Sequence, residues 1–332
     1  TGNWQTLMLN QQHYWDKPPL QHWAIAASYR LFGPSPWATR FPVALASMFT
    51  ILLTLFVGKR LIGFRAAWLA SLCLLLSIGF LLVSRYTTRD ASLTTAVTAA
   101  MLYGLLSIRA GFSRHLAGIS SLAIGLGVLI KGPVIIALCL PSLLAAHWLS
   151  KPYRQHQRHR NQWAWWVMPG LLVAAPWYLM TSISSPEFVI EFLWKHNVVR
   201  FAEGFNHERP FYYYLLGIFL FMFPVSYLFP SLVKFLTSRR LANRKFRSRE
   251  TGWLLLSAAW ILLFFSISTT KLPTYIVPAF PLIALLLGVF LEQKVLLNPE
   301  PRKTFLDQLV TRAPFELPAW CLLIGIIGVL VY

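Results

Sequence analysis

The chain has 332 residues, of which 56% are hydrophobic and 12% charged, yet Lys and Arg outnumber Asp and Glu by 30 to 11. A mean hydropathy of +0.56 excludes intrinsic disorder and leaves too little charge to solvate a soluble enzyme or a nucleic-acid-binding domain. With 15% aromatics and 14 Trp, the composition is that of an all-α membrane protein, a polytopic helical bundle.

Residues 1–40 read as a first loop outside the bundle. Pro18 and Pro19 impose an extended entry, after which Leu20, Trp23, Ala24, Ala27 and Leu31 predict an interfacial helix that stops at Gly33-Pro34. The bundle itself occupies 41–332. Its apolar stretches predict about ten membrane helices: 41–58, 66–83, 91–108, 116–130, 133–149, 163–182, 211–236, 252–270, 274–291 and 315–332. The split at Lys131-Gly132-Pro133 follows because one helix over 116–149 would be about 50 Å long, and Gly-Pro breaks it there. Cys73, Cys139 and Cys321 each lie in an apolar run without ligand spacing, which predicts small buried hydrophobes.

Twenty of the thirty basic residues fall in one set of alternate loops and span ends, including Lys151–Arg160 and Arg239–Arg249. By the positive-inside rule that set is cytoplasmic, and residues 1–40 lie on the opposite side together with a long loop at 183–210. The basic runs are read as solvated loops that meet anionic headgroups, with no nucleic-acid partner. Because nothing in 1–40 would carry that loop across a membrane, the chain is expected to be part of a longer protein with a further span before Thr1.

Six of the eleven carboxylates, Asp16, Asp90, Glu187, Glu191, Glu203 and Glu208, lie on the outer side with Lys17, Arg85, Arg89, Lys131, His207, Arg209 and Lys271. Ionisable groups at helix ends on one face point to a reaction site there, since a transporter more often places them at mid-membrane. Lys17, in Tyr14-Trp15-Asp16-Lys17-Pro18-Pro19-Leu20, is placed to meet a lipid phosphate; the alternative is an aromatic belt with one snorkelling lysine. In Ser84–Asp90, Asp90 either caps the helix that follows or orients Arg85 and Arg89 as an anion site. Lys131 and Lys271 each end a span beside a Pro-containing turn, where the helix dipole tolerates a cation and a negatively charged ligand accounts for it. His207-Glu208-Arg209-Pro210 followed by Phe211–Tyr214 is open to a structural, an acceptor-binding or a metal-binding reading.

Together these residues resemble a known family. Gly2-Asn3-Trp4, Asn10 and Tyr14–Leu20 with Trp23 are similar to the first outer loop of the bacterial aminoarabinose transferase/protein mannosyltransferase superfamily. These are GT-C integral-membrane glycosyltransferases. Arg85–Asp90, Leu129–Pro133, His207–Tyr213 and Lys271–Pro278 continue the resemblance in order, over residues 1 to about 291. It implies transfer of a sugar from a polyprenyl-phosphate donor to a lipid, glycan or protein acceptor at the outer face of the bacterial cytoplasmic membrane. Lipid A modification and other cell-envelope acceptors fit equally.

The resemblance assigns donor-phosphate contacts to Lys17, Tyr14, Tyr275 and Arg85, and polar positions lining the cavity to Asp90, Lys131, Lys271 and Arg209. Asp16 and His207 match positions where some relatives hold a divalent metal, so a metal stays open as a cofactor; Asp16 stands where relatives more often have Glu. The catalytic carboxylate of the family precedes the TGNW stretch, so the general base is expected upstream of Thr1 and these 332 residues alone are expected to be inactive. A lipid-linked sugar flippase, or a binding subunit lacking the acidic pair, stands as the alternative.

Overall fold

The computed structural model describes Trp4 and residues 8–9, 12–150, 162–199, 209–238 and 247–293. Two short strands, β1 (Met8–Leu9) and β2 (Gln12–His13), pair antiparallel ahead of the helices. Helix α1 (Leu20–Phe32) follows Pro19 and ends before Gly33-Pro34, as its sequence predicts. Ser35 caps α2 (Pro36–Phe56) by accepting from the Ala38 amide, with Pro36 at the first helical position. A short α3 (Lys59–Ile62) leads to α4 (Phe64–Leu76) and α5 (Ile78–Arg85).

The long hairpin α6 (Arg89–Arg109) and α7 (Arg114–Lys131) forms the centre. Helix α7 stops where expected, because Gly132 takes a φ of 88°, which only glycine adopts freely. Then come α8 (Val134–Leu149) and α9 (Gln162–Ser184). The bundle is closed by α11 (Tyr213–Phe221), α12 (Phe229–Thr237), α13 (Arg249–Ile267), the 3-10 segment Pro273–Ala279 and α14 (Phe280–Leu291).

Two parts of the sequence reading are corrected. Ten crossings are not reached among the described residues: six helices are long and apolar enough, or eight if two bent pairs each count as one. The expected span 315–332 lies outside the described residues, as does Cys321. Helix α8, at 16 residues, is about 24 Å long, short of a hydrocarbon core of about 30 Å. The expected straight helix over 66–83 bends by 65° between α4 and α5, and that over 211–236 bends by 114° between α11 and Val225–Thr237. The breaks meet: the Ile78 amide donates to the Phe223 carbonyl at 3.0 Å. One backbone orphan satisfies the other, the condition for a broken helix inside a membrane protein.

The second correction concerns 183–210, which is not loop throughout. Val189–Val199 winds as a π-helix, α10, and Phe188 and Phe192 bury with Trp15, Leu129, Ala174 and Trp177.

Small and hydroxylated residues pull the central helices together. A Cβ at Gly125 of α7 would lie 2.4 Å from the Gly170 carbonyl oxygen of α9, so this crossing needs glycine. Ser120 donates to the Ala100 carbonyl, Thr50 and Thr95 share a hydrogen bond between α2 and α6, and the Trp260 indole donates to Ala137. Cys73 and Cys139 are buried, as expected of small hydrophobes.

Candidate functional site

Helices α6 and α7 are antiparallel, so the first turn of one meets the last turn of the other. Asp90, in the first turn of α6, and Lys131, the last residue of α7, form an ion pair of 2.5 Å with side chains 9% and 14% exposed. Thr88 occupies the N-cap position and Asp90 sits inside the helix, so the capping reading of Asp90 does not hold; the Arg89 charge does act on the Asp90 carboxylate. Its carboxylate also engages the Thr274 side chain, and the Lys131 ammonium lies 4.1 Å from the centre of the Tyr275 ring. The Leu272-Pro273-Thr274-Tyr275 turn thereby brings a hydroxyl and an aromatic face onto the central pair.

Arg89, the residue before Asp90, reaches the opposite way. Its guanidinium donates to His22 Nε2 at 2.8 Å and also to the Tyr14 phenol oxygen. A guanidinium has donors only, so His22 is neutral with its proton on Nδ1. Burial, then the Arg89 charge, hold the His22 pKa below its usual value. The Tyr14 hydroxyl donates to Asp16 at 3.0 Å, and the other Asp16 oxygen lies 2.7 Å from Lys17 Nζ. Burial first, and then the carboxylate beside it, raise the Tyr14 pKa, so the phenol stays protonated. Trp15 is buried against Phe188, with ring centres 5.6 Å apart, and anchors this loop to α9 and α10.

A third group completes that end. Lys271 is buried, 4% exposed, and its ammonium donates to the carbonyls of Ser268 and Arg209. Tyr214 donates to the Leu272 carbonyl at 2.9 Å, and the Arg209 guanidinium stands 6.0 Å over the Tyr213 ring. Three elements far apart in sequence thus converge beside Arg89-Asp90. The opposite end holds different chemistry: Arg109 binds the Arg60 carbonyl and pairs with Glu250 at 3.2 Å.

With this geometry in view, the comparisons with known proteins are specific. Residues 16–180 match the family described as dolichyl-phosphate-mannose-protein mannosyltransferase. The undecaprenyl phosphate-alpha-4-amino-4-deoxy-L-arabinose arabinosyl transferase of Aeromonas salmonicida is 32% identical over 300 residues, covering 87% of this chain and 52% of that protein. Transferase 2 of the same description from Pseudomonas fluorescens is 30% identical over 319 residues, covering 90% and 54%. The crystal structure of ArnT from Cupriavidus metallidurans bound to undecaprenyl phosphate superposes with a TM-score of 0.77 at 25% identity, over 96% of this chain and 56% of that one. The chain belongs to the aminoarabinose transferase/mannosyltransferase superfamily. It has the GT-C membrane fold and spans about half the length of the curated relatives it matches.

Within that superfamily frame, the structure gathers most of the residues singled out by sequence. Tyr14, Asp16 and Lys17 form one group, and Asp90, Lys131 and Tyr275 a second. Lys271 and Arg209 form the third. Arg85 ends α5 with an exposed side chain and enters none of the contacts described for these groups. His207 lies outside the described residues. Among the described residues no three His, Cys, Asp or Glu side chains are grouped to hold a metal ion. Asp16 is engaged by Tyr14 and Lys17, and its expected metal partner His207 lies outside the described residues.

Sequence reasoning missed His22, Gln21 and Thr274. His22 and Gln21 sit on α1, where they meet Arg89 and Ser92 of α6. Only the placement of α1 across the start of α6 reveals them; Thr274 could have been found from its position beside Tyr275.

Proposed function

We propose that this chain is part of a glycosyltransferase that moves a sugar from a polyprenyl-phosphate donor to a lipid, glycan or protein acceptor. The reaction takes place at the periplasmic face of the bacterial inner membrane. Residues 1–40 form the first loop on that face, with α1 lying in the membrane interface, and the segment after α9 lies on the same side.

In the reaction an acceptor oxygen attacks the anomeric carbon, the bond from that carbon to the phosphate oxygen breaks, and polyprenyl phosphate leaves with the bonding electrons. Lys17 and Lys131 supply the charge that stabilises the leaving phosphate, in a partly buried setting where fixed donors act without reorganising. Tyr14 offers a phenol beside Lys17, and Tyr275 places its ring under Lys131. Lys271 and Arg209 line the same end and add to its positive potential. No described residue is assigned as the base that takes the acceptor proton.

The observation that carries this reading is the convergence of Lys17, Arg89, Lys131 and Lys271 at one end of a membrane bundle whose similar proteins are named for a polyprenyl-phosphate sugar. The test uses the complete protein in membranes with a radiolabelled polyprenyl-phosphate sugar. Label recovered covalently on lipid A, glycan or protein supports the reading. Sugar that crosses the membrane without covalent transfer refutes it in favour of a flippase.

A further inference from the structure

Arg89 stands between two lysine groups at one end of the bundle. The next residue, Asp90, pairs with Lys131, while the Arg89 guanidinium donates to both His22 and Tyr14. That second direction has a fixed polarity. A guanidinium only donates, so the Tyr14 oxygen accepts from it and the phenol hydrogen goes to Asp16 Oδ2, 3.0 Å away. Asp16 in turn holds the Lys17 ammonium twice, through Oδ1 at 2.7 Å and its backbone carbonyl at 2.8 Å.

His22 lies at the far end of this run from Lys17, and α1 sets its place. Gln21 and His22 are consecutive on α1, whereas Arg89 and Ser92 are one turn apart on α6. The Gln21–Ser92 and His22–Arg89 contacts, 2.7 and 2.8 Å, pin the two helices at neighbouring points. Lys17 precedes His22 by five residues, across the stiff Pro18-Pro19 step. The run therefore closes into a circuit: Arg89 to Tyr14, Asp16 and Lys17, through the two prolines to His22, and back to Arg89. Arginine is a planar fork on a flexible stem, so an acceptor on one arm fixes the plane in which the other donates. Without that acceptor the guanidinium turns about its stem, and the Tyr14 hydroxyl loses the donor that directs its hydrogen to Asp16.

We propose that His22 is a positioning residue for the donor phosphate: its imidazole acceptor holds Arg89 in the plane that serves Tyr14, and through Tyr14 and Asp16 it fixes the Lys17 ammonium where the phosphate meets it. This role rests on the reading of Lys17 as a phosphate contact. His22 acts on the donor only through Arg89 and Tyr14. A helix staple that merely docks α1 on α6 would use the same His22–Arg89 bond, but its effect on the donor would not pass through the Tyr14 hydroxyl.

The test is binding of undecaprenyl phosphate to the complete protein in nanodiscs, with a thermal scan of each variant. His22→Leu, which removes the acceptor, should weaken binding about three- to tenfold, the worth of one hydrogen bond. His22→Gln, which returns an acceptor to Arg89, should restore the affinity to within about twofold. In a Tyr14→Phe background the run is already cut, so His22→Leu should cost less than about twofold more, whereas a staple would cost the same in both backgrounds. Three results each overturn the proposal: unchanged affinity in His22→Leu, no recovery in His22→Gln, or an undiminished effect of His22→Leu beside Tyr14→Phe. Lys17→Ala separates the two levels. Unchanged binding there refutes the donor-site reading itself, while weakened binding with any of the three results refutes the role of His22 alone. Should His22→Leu fail to fold, acid makes the same cut in the unmodified protein, because protonated His22 has two donors and no acceptor for Arg89. His22 faces Arg89 of α6 and, edge-on with ring centres 6.5 Å apart, Tyr14 of the loop. Between about pH 7.5 and 4.5, affinity should then fall about three- to tenfold further in the unmodified protein than in His22→Gln, which does not titrate; parallel profiles overturn the proposal.

Discussion

Asp90→Asn isolates the central ion pair. Both partners are nearly out of solvent, and removing one member of such a pair costs about 3–5 kcal/mol because the other charge stays buried. Lys131 would keep the face of Tyr275, worth about 0.5–2 kcal/mol, so the expected loss is about 3 kcal/mol, near the lower bound. Lys131→Met should cost a similar amount, because it strands the carboxylate. The double variant Asp90→Asn/Lys131→Met removes both charges and should recover most of the stability. The coupling energy of the cycle is therefore at least about 2 kcal/mol, against about 0.5 kcal/mol for independent sites. Detergent-solubilised complete protein, followed by tryptophan fluorescence during unfolding, gives the three differences. Transfer activity should stay lost in the double variant, since the phosphate-facing ammonium is gone. Additive single and double effects would show that the pair does not bind as drawn; an active double variant would remove Lys131 from the chemistry.

Lys17→Ala should weaken binding of polyprenyl phosphate about 10- to 100-fold, the worth of a charge-assisted hydrogen bond, while membrane insertion and stability stay unchanged; a binding titration and a thermal scan separate the two. His22 has a lowered pKa, so between that value and about 6.5 the unfolded chain binds the extra proton and the folded one does not. Stability therefore falls as pH drops below about 6.5, and His22→Gln, which keeps an acceptor for Arg89 but does not titrate, should flatten the slope between pH 5 and 7; an unchanged slope assigns it elsewhere. Gly125→Leu should push α7 from α9, destabilising by about 1–3 kcal/mol as overpacking does, with Gly118→Ala, whose added carbon meets only ordinary contacts, as the silent control.

Much of the scaffold is written in local pattern. The stop of α7 is legible because Gly132 and Pro133 cannot continue a helix, and the meeting of Asp90 and Lys131 at one end follows from two antiparallel helices. The pairing of Asp90 with Lys131 was equally available: an acid opening one helix and a lysine closing the next must meet if the two are antiparallel. Local reasoning offered Asp90 a cap instead, and the cap needs no tertiary knowledge. The bends differ in kind. Pro224 marks one of them in sequence, whereas the break at Ser77 has no proline and depends on the Phe223 carbonyl that accepts from Ile78. His22 with Arg89 lies beyond any local rule, since the two residues are 67 apart and meet only where α1 crosses α6.

Under the proposed function, the partners of each cation would let the same end be stable by itself and still attract a phosphate. Lys17 and Lys131 are each paired with a carboxylate, so their charge is largely cancelled until a stronger anion competes for the ammonium. Arg89 and Lys271 donate to neutral groups, an imidazole in one case and backbone carbonyls in the other, and neither forms a direct ion pair among the described residues, although the Arg89 charge is also felt by Asp90. Neutral acceptors satisfy hydrogen bonds without quenching the field, and carboxylates do both. On that reading the long-range attraction would come chiefly from Arg89 and Lys271, and the short-range grip from Lys17 and Lys131 once phosphate displaces or shares their acids. Added salt should accordingly slow donor association more than it speeds release, because screening acts on the distant field before it reaches a partly buried contact.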